Sequence, residues 1–477
     1  MTNGRPKGHL YFIGITGHTM RGLALAAREL GYEVTGLDEP AIPPGSTWVS
    51  EHGFTWWREF EPGQLDGVTA VIVTGAYATN DYPAIIEARR RNIEIKSYAQ
   101  LWGELTAGER VIAVAGTAGK TTTSALIAWL LESAGRRPDF LIGVRPNNFD
   151  ASVRLAGARI AVAEGDEYRA SPLETKSKVQ YHHPDVLVLT SVEHDHPDFF
   201  PDLASVQQRF GQIVRAVPED GRLIACADHI NVMAAANAAR CPVTTYGLRS
   251  ADTTPDYTAV GIAFQPGGLE FNIVHRGHDL GRLATGLYGR HNVANTLAAV
   301  AAASSEGLTF EQITAAASTF KGTYRRFTLV TPANAPTTII DDYAHHPTKV
   351  MVTLEAAKLH FPGRRVVAVF RPHTYSRTAA LLSDYHHAFD HADEVYVTDI
   401  EGARETGAEH SVSGQDIVDG LAIAAHYAPN RTKLVERLKA TAKPGDVIVC
   451  MTVSSYGNLA EELAATLNYE SPATPTE

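Results

Sequence analysis

The run Ala113-Val-Ala-Gly-Thr-Ala-Gly-Lys-Thr-Thr-Thr123 decides how the rest of the chain is read. Val111 to Ala115 form a short apolar strand, and the segment from Lys120 carries Leu126, Ile127, Leu130 and Leu131 at helical spacing before Gly135. Strand, glycine-bearing turn and helix follow one another in the order of a phosphate cradle. In such a turn the backbone N–H groups of Gly116 to Thr122 and the helix N-terminus surround phosphate oxygens. Lys120 then reaches the outer phosphates and the Thr121 hydroxyl can hold Mg2+. The fuller pattern asks for glycine at 114, where this chain has Val114, and a glycine-rich turn before a helix can also be only a tight connection. Gly-x-x-Gly-Lys-Thr-Thr after an apolar strand is uncommon by chance and favours phosphate, with ATP or GTP as the nucleotide.

Around this loop, 477 residues are too many for one ordinary core and imply roughly two to four units. A net charge of -11 without long basic runs argues against a nucleic-acid surface, while leaving room for a local basic pocket. The three cysteines, Cys226, Cys241 and Cys450, are far apart and lack metal-ligand spacing, as expected in a reducing compartment. No apolar run is long enough to cross a bilayer and the start is polar, so a soluble cytoplasmic protein is expected, with a frayed tail from Ser471 to Glu477.

Upstream of the loop, strand and helix alternate from Leu10 to Val73, which predicts a parallel α/β sheet. Its first turn, Gly14-Ile-Thr-Gly-His-Thr-Met20, permits close backbone approach to a ligand, and Asp38 stands where a ribose-binding carboxylate would follow a second strand. A packing turn with a solvated Asp38 explains that turn equally well. The middle unit is expected from about Gly108 to Arg325, with a loop-rich, β-like excursion from Ser250 to Gly268. The third unit starts at Thr338 to Ile340 and continues through Val366 to Phe370, Glu394 to Thr398 and Val447 to Met451 as a second doubly wound sheet.

Five constellations add chemistry. Ala163-Glu-Gly-Asp-Glu-Tyr168 puts carboxylates at a strand end, where Glu164 suits Mg2+ and Asp166 and Glu167 suit supporting or substrate roles; an acidic loop is the bland alternative. Ser191-Val-Glu-His-Asp-His-Pro-Asp198 is dense in imidazole and carboxylate, for a metal or for proton transfer, with His196 foremost. Asn292 and Asn295 share a helical face beside His291, where they either meet a base or cap a helix. Tyr324-Arg-Arg-Phe327 supplies fixed positive charge for a phosphoryl group or forms a solvated turn. Asp341-Asp-Tyr-Ala-His-His-Pro347, Arg371-Pro-His373 and Arg377 lie at later strand ends.

Taken in order, Gly116-Thr-Ala-Gly-Lys-Thr-Thr122, Glu164, Asp195-His196, His291-Asn292 with Asn295, Arg325-Arg326-Phe327 and Asp341 to Pro347 resemble the Mur ligases over nearly the whole chain. The resemblance implies a three-domain α/β architecture. Residues 1–106 would be a Rossmann-like UDP-sugar domain, 107–326 a central P-loop ATPase and 327–477 a Rossmann-like domain for the amino substrate. It implies ATP and Mg2+, with Lys120, Glu164, His196 and Arg326 catalytic and Thr121, Glu164 and His196 holding metal. Gly116, Thr117, Ala118, Gly119, Lys120, Thr121, Thr122, His291, Asn292, Asn295, Arg326, Asp342 and His346 would bind the nucleotide, and Gly14, Gly17, His18, Thr19, Asp38, His373 and Arg377 the other substrates. Ala118 stands where the resembling enzymes usually have histidine, and Thr16 and Thr19 replace glycines common in the first turn.

Two substrate patterns meet in the chain. Pro43-Pro-Gly-Ser-Thr47, Asp166-Glu-Tyr168 and Lys176-Ser-Lys178 look like enzymes that attach a recycled murein tripeptide to UDP-N-acetylmuramate. Phe370-Arg-Pro-His-Thr-Tyr-Ser-Arg-Thr378 and Asp341 to Pro347 look like those that attach L-alanine. Because the C-terminal domain chooses the amine, L-alanine is expected, joined through an acyl phosphate in peptidoglycan precursor synthesis. The resemblance implies UDP-N-acetylmuramate and an amino acid or short peptide as partners, no nucleic acid, no membrane insertion, and a monomer or homodimer. Other amide ligases with this ATPase core, and an ATP-binding regulatory protein that has lost ligation, are the alternatives.

Overall fold

Short runs of Val, Ile, Leu and Ala too apolar to face water on either side build three sheets, each buried between helices. The computed structural model describes residues 7–469 except 40, 42, 76–78, 172, 196–198, 249–253, 403–404, 406–410, 454–455 and 468. His196 and the 471–477 tail therefore lie outside the described residues.

The first sheet is all parallel, in the order β3-β2-β1-β4-β5, from β1 (His9–Ile13), β2 (Glu33–Leu37), β3 (Thr55–Trp57), β4 (Ala70–Val73) and β5 (Glu94–Ser97). Strand order reverses beside β1, so the crevice at its C-terminal end is the natural ligand position of an open α/β sheet. Helix His18–Glu29 buries Met20, Leu23, Ala24 and Ala27 against this sheet.

The second sheet has ten strands: β6 (Arg110–Ala115), β7 (Asp139–Leu141), β8 (Val153–Arg154), β9 (Ile160–Gly165), β10 (Val186–Leu189), β11 (Arg222–Cys226), β12 (Val243–Tyr246), β13 (Tyr257–Gln265), β14 (Gly268–His275) and β15 (His278–Thr285). In the order β15-β14-β13-β12-β11-β10-β6-β9-β7-β8, β6 is flanked by β9 and β10, all parallel. That order brings the ends of three strands to one place: the loop after β6, Glu164 on β9 and Thr190 after β10. Helix Lys120–Ser133 is apolar on nearly every side because it lies between this sheet and helix Arg290–Ser305.

The β-like character expected of the excursion from 250 to 268 is present among the described residues, while its reach is corrected, since the strands run on to Thr285. Much of it is β13, which with β14 and β15 adds a three-stranded antiparallel edge to the sheet. Alternation of residues such as Leu269, Phe271 and Ile273 buries one face, and the strand signal extends beyond the sequence boundary. The capping alternative for Asn292 and Asn295 is also corrected. The helix starts at Arg290 with Gly289 as its cap, so both asparagines lie inside it.

The third sheet has the order β16-β17-β21-β18-β19-β20, from β16 (Thr328–Leu329), β17 (Thr338–Asp342), β18 (Val366–Phe370), β19 (Glu394–Val397), β20 (Ala424–Tyr427) and β21 (Val447–Met451). Only the β16 pairing is antiparallel. Among the described residues no helix is long and apolar enough to cross a membrane.

Candidate active site at the junction of three sheets

The loop after β6 is shaped by two glycines that no other residue could replace without movement. Gly116 has φ 139°, and a Cβ there would lie 2.2 Å from Thr190 Oγ1. Gly119 has φ 83°, and its Cβ would lie 2.5 Å from Asn295 Oδ1. The loop is strapped to the segment after β10. Thr117 N donates to Ser191 O at 3.0 Å, Glu193 N donates to Thr117 Oγ1 at 2.9 Å, and Ala118 N donates to Ser191 Oγ at 2.8 Å. Thr190 Oγ1 donates to Ala118 O at 2.5 Å. Both backbone groups of Ala118 are thereby fixed by Thr190 and Ser191, so the loop's path does not depend on a histidine side chain at 118. Ser191 and Thr190 were not singled out from sequence; their only signal was position at the end of the strand beside β6.

Helix Lys120–Ser133 opens on Gly119 with no side-chain cap, leaving its N-terminal N–H groups available to an anion. Lys120 Nζ folds back to Gly116 O at 2.6 Å, with Glu167 at 3.3 Å and Asp166 at 3.4 Å. Burial opposes its charge, but Glu167, Asp166 and Glu164 outweigh burial and raise its pKa, so the ammonium is fixed. Thr121 Oγ1 donates to Glu164 Oε1 at 2.7 Å, and Glu164 Oε2 accepts from Gly143 N at 2.7 Å. A hydroxyl and a carboxylate at the phosphate end of the loop are the hard oxygen donors that Mg2+ takes, with its remaining ligands from phosphate and water, and they fit that ion. Among the described residues no group of three or more His, Cys, Asp or Glu forms a cage.

Asp166 also accepts from Lys178 Nζ at 2.9 Å and from the Tyr168 hydroxyl at 2.8 Å, and Lys178 sits over the rings of Tyr168 and Tyr98. Asp166 is thus a bridge between two lysines, and Tyr98 ties it to the end of the first sheet.

The C-terminal domain closes the site from the opposite side. Arg377 Nε donates to Asp195 Oδ1 at 2.9 Å, both side chains being at most 5% exposed, and Arg377 Nη1 donates to His373 Nδ1 at 2.8 Å. Thr348 Oγ1 donates to Glu193 Oε2 at 2.9 Å, and His346 Nε2 lies 3.3 Å from His194 O. Burial lowers the pKa of His346, with Asp195 opposing, so its imidazole is neutral. Lys349, unremarked in the sequence, places Nζ 3.8 Å from Asp195 Oδ2.

The two arginines at the domain junction divide their roles. Arg325 is buried, paired to Asp341 at 2.8 Å and donating to Thr452 O at 2.7 Å, which fastens the third sheet. Arg326 lies over the Tyr343 ring at 5.2 Å and faces Lys349. Asp342 spends its carboxylate on the backbone, accepting from Phe327 N and Ala344 N at 2.7 Å each, so it orders the turn that presents Arg326.

On the helix side, Asn295 Nδ2 donates to Asn292 Oδ1 at 2.8 Å, and Asn292 Nδ2 to Tyr288 O at 2.7 Å. His291 Nδ1 is buried and makes no hydrogen bond among the described residues, and burial, then His360, lowers its pKa to about 4. Of the three, Asn295 stands against Gly119 of the phosphate loop, and Asn292 joins it to Tyr288 O.

At the end of β1, Gly14 has φ 83° and Gly17 caps the following helix without a side-chain bond. Thr16 donates to Asp38 Oδ2 from N at 3.0 Å and from Oγ1 at 2.5 Å, an anchoring that glycine at 16 could not complete. His18 Nδ1 accepts from Arg21 Nη2 at 3.0 Å, and burial, Arg21 and Arg145 bring its pKa down to about 4. Thr19 is half-buried in the first helical turn. This turn lies apart from the loop after β6, so the structure groups the sequence-derived residues into two sites.

A strand–loop–helix phosphate cradle with a threonine–carboxylate pair, faced by arginines at and beyond the start of a separate sheet, defines the class: an enzyme that activates one substrate with a nucleoside triphosphate. Family models agree, matching residues 9–110 as Mur ligase family catalytic domain, 114–303 as Mur ligase middle domain, and 325–452 as Mur ligase glutamate ligase domain. The chain belongs to the Mur ligase family. It is 34% identical over 464 residues to the UDP-N-acetylmuramate–L-alanine ligase of Rubrobacter xylanophilus, covering 96% of this chain and 100% of that one. The UDP-N-acetylmuramate-alanine ligase from Thermotoga maritima shares the fold at TM-score 0.78 and 22% identity, covering 97% of this chain and 99% of that one. A murein peptide ligase from Psychrobacter arcticus matches at TM-score 0.70 and 26% identity, covering 98% of this chain and 100% of that one.

Proposed function

We propose that the protein joins L-alanine to the lactyl carboxylate of UDP-N-acetylmuramate, with ATP and Mg2+, in the cytoplasmic synthesis of peptidoglycan precursors. The observation that carries this is the meeting of Lys120 and the Thr121–Glu164 pair with Arg326 at the domain junction and with Arg377 and His373 of the next domain. Full-length similarity to an L-alanine ligase supports the choice of amine. Residues 1–106, 107–326 and 327–477 are the proposed domains for sugar nucleotide, ATP and amine.

The chemistry is two substitutions. A lactyl carboxylate oxygen attacks the γ-phosphorus of ATP, the bond to the β-phosphate oxygen breaks, and ADP leaves. The amine nitrogen of L-alanine then attacks the acyl carbon, the carbon–oxygen bond to phosphate breaks, and the amine loses its protons to solvent or phosphate. The loop N–H groups and Lys120 hold the phosphates, while Arg326 offsets charge on the transferring group. Bound Mg2+, on Thr121 and Glu164 with His196 as a proposed further ligand, would neutralise phosphate charge. His291, Asn292 and Asn295 are proposed to flank the base, with Thr117, Thr122, Asp342 and His346 shaping the same site. Gly14, Gly17, His18, Thr19 and Asp38 are proposed to hold the UDP group, and His373 and Arg377 the carboxylate of L-alanine. Docking of the third domain excludes water from the acyl phosphate.

Lys120→Ala removes the only ammonium on the loop. Phosphate release dependent on UDP-N-acetylmuramate and L-alanine should disappear in this variant, and normal turnover would overturn the assignment.

A further inference from the structure

We infer that Lys349 is a second lysine of the phosphoryl-transfer site, brought by the C-terminal domain to hold the outer phosphate of ATP opposite Lys120. The inference rests on the ligase reading above and extends it to a residue that reading does not use.

Helix Pro347–His360 begins five residues after β17 ends, which places Lys349 in its first turn at the domain junction. Its side chain is 25% exposed, with Nζ 3.8 Å from Asp195 Oδ2. Asp195 cannot be its dedicated partner, because Arg377 Nε already takes the other oxygen at 2.9 Å. Lys120, Arg377 and Arg326 all face Lys349 closely enough to repel it. Burial acts in the same direction, and with those cations lowers its pKa despite Asp195.

Lys349 therefore faces three other cations from separate segments, while Asp195 is shared between Lys349 and Arg377, and Asp166 and Glu167 are engaged by Lys120. A cationic cluster in a low-dielectric cleft is the complement of a multiply charged anion. The position of Lys120 identifies which anion: on such a loop it reaches the outer phosphates, so a group lying between Lys120 and Lys349 is the γ-phosphate and, after transfer, the acyl phosphate. The carboxylate of an amino acid carries less charge and is served by Arg377, which has His373 beside it. Lys349 stands on the helix after β17 and Lys120 on the helix after β6, so the outer phosphate would bridge the two sheets' segments.

The test is the affinity of the intact protein for a β,γ-imido ATP analogue and for ADP, both with Mg2+, in the parent, Lys349→Met, Lys349→Gln and Lys349→Arg. The two neutral variants should bind the imido analogue at least about tenfold more weakly, as expected for a lost charge-assisted contact, and ADP within about twofold of the parent. Lys349→Arg should recover most of the loss. Equal weakening for both nucleotides, no weakening for either, or a loss seen only in L-alanine affinity would overturn the inference. Thermal unfolding identifies a neutral variant that fails to fold, in which case the other neutral variant and Lys349→Arg decide. Failure of the ligase reading has a different signature: both nucleotides bind but no L-alanine adduct forms.

Discussion

Arg377 of the C-terminal domain and Asp195 of the central domain form a buried ion pair across the junction, Nε to Oδ1 at 2.9 Å. An ion pair so sequestered contributes little net stability while intact, but removing one partner leaves a desolvated charge and costs about 3–5 kcal/mol. Asp195→Asn should therefore lower the thermal midpoint measurably, and Arg377→Met should raise the KM for L-alanine by about tenfold or more while leaving the KM for ATP within about twofold. Initial-rate phosphate release, varying each substrate in turn, separates these effects.

Gly119→Ala and Gly116→Ala each place a methyl group where Asn295 or Thr190 already stands, on backbone with φ of 83° and 139°. Strain of about 1–3 kcal/mol is expected at each. Both glycines lie beyond the end of β6 rather than within the strand, so the proteins should fold and lose ATP-dependent turnover by at least about a hundredfold, because displacement of the loop's donors costs catalysis more than stability.

Thr121→Val removes one of the two oxygen groups at the proposed metal position and leaves Glu164 without its 2.7 Å donor. The Mg2+ concentration for half-maximal activity should rise about tenfold to a hundredfold, as for other losses of metal-site support. A magnesium titration of the rate, read beside nucleotide binding at saturating metal, checks this.

Glu109, in the connection between the first and second sheets, has its pKa raised to about 8 by burial first and then by the charge of Asp139. A carboxyl with a folded pKa above its unfolded value of 4.5 contributes stability that is fully present below about 4.5 and is lost as pH rises through about 8. Glu109→Gln keeps the neutral form at every pH and should flatten that part of the stability profile, measured by denaturant unfolding between pH 5 and 9 on the roughly one proton released.

Much of the architecture was legible because parallel sheets are buried on both faces and write themselves as unbroken apolar runs: β6, β10, β18 and β21 were visible for that reason. The antiparallel edge from β13 to β15 was less visible, since one face is solvated and polar residues interrupt its strands. The loop after β6, Glu164 and Arg326 could be found from spacing. The places of Thr190, Ser191, Gly143 and Lys349 beside that loop could not, because they come from strand order and the packing of the third sheet, which bring together positions up to 229 residues apart, as with Lys120 and Lys349. Asp342 illustrates a further limit: its motif was plain, but only the geometry shows its carboxylate bound to Phe327 N and Ala344 N.

The choice of amine is open to one direct measurement. The protein is offered UDP-N-acetylmuramate and Mg·ATP together with equimolar L-alanine and L-alanyl-γ-D-glutamyl-meso-diaminopimelate, and the adducts are resolved by mass spectrometry during the initial phase. UDP-N-acetylmuramoyl-L-alanine should dominate, in step with ADP and phosphate, and should vanish with Lys120→Ala. A dominant tripeptide adduct would contradict L-alanine as the substrate of the Arg377 site.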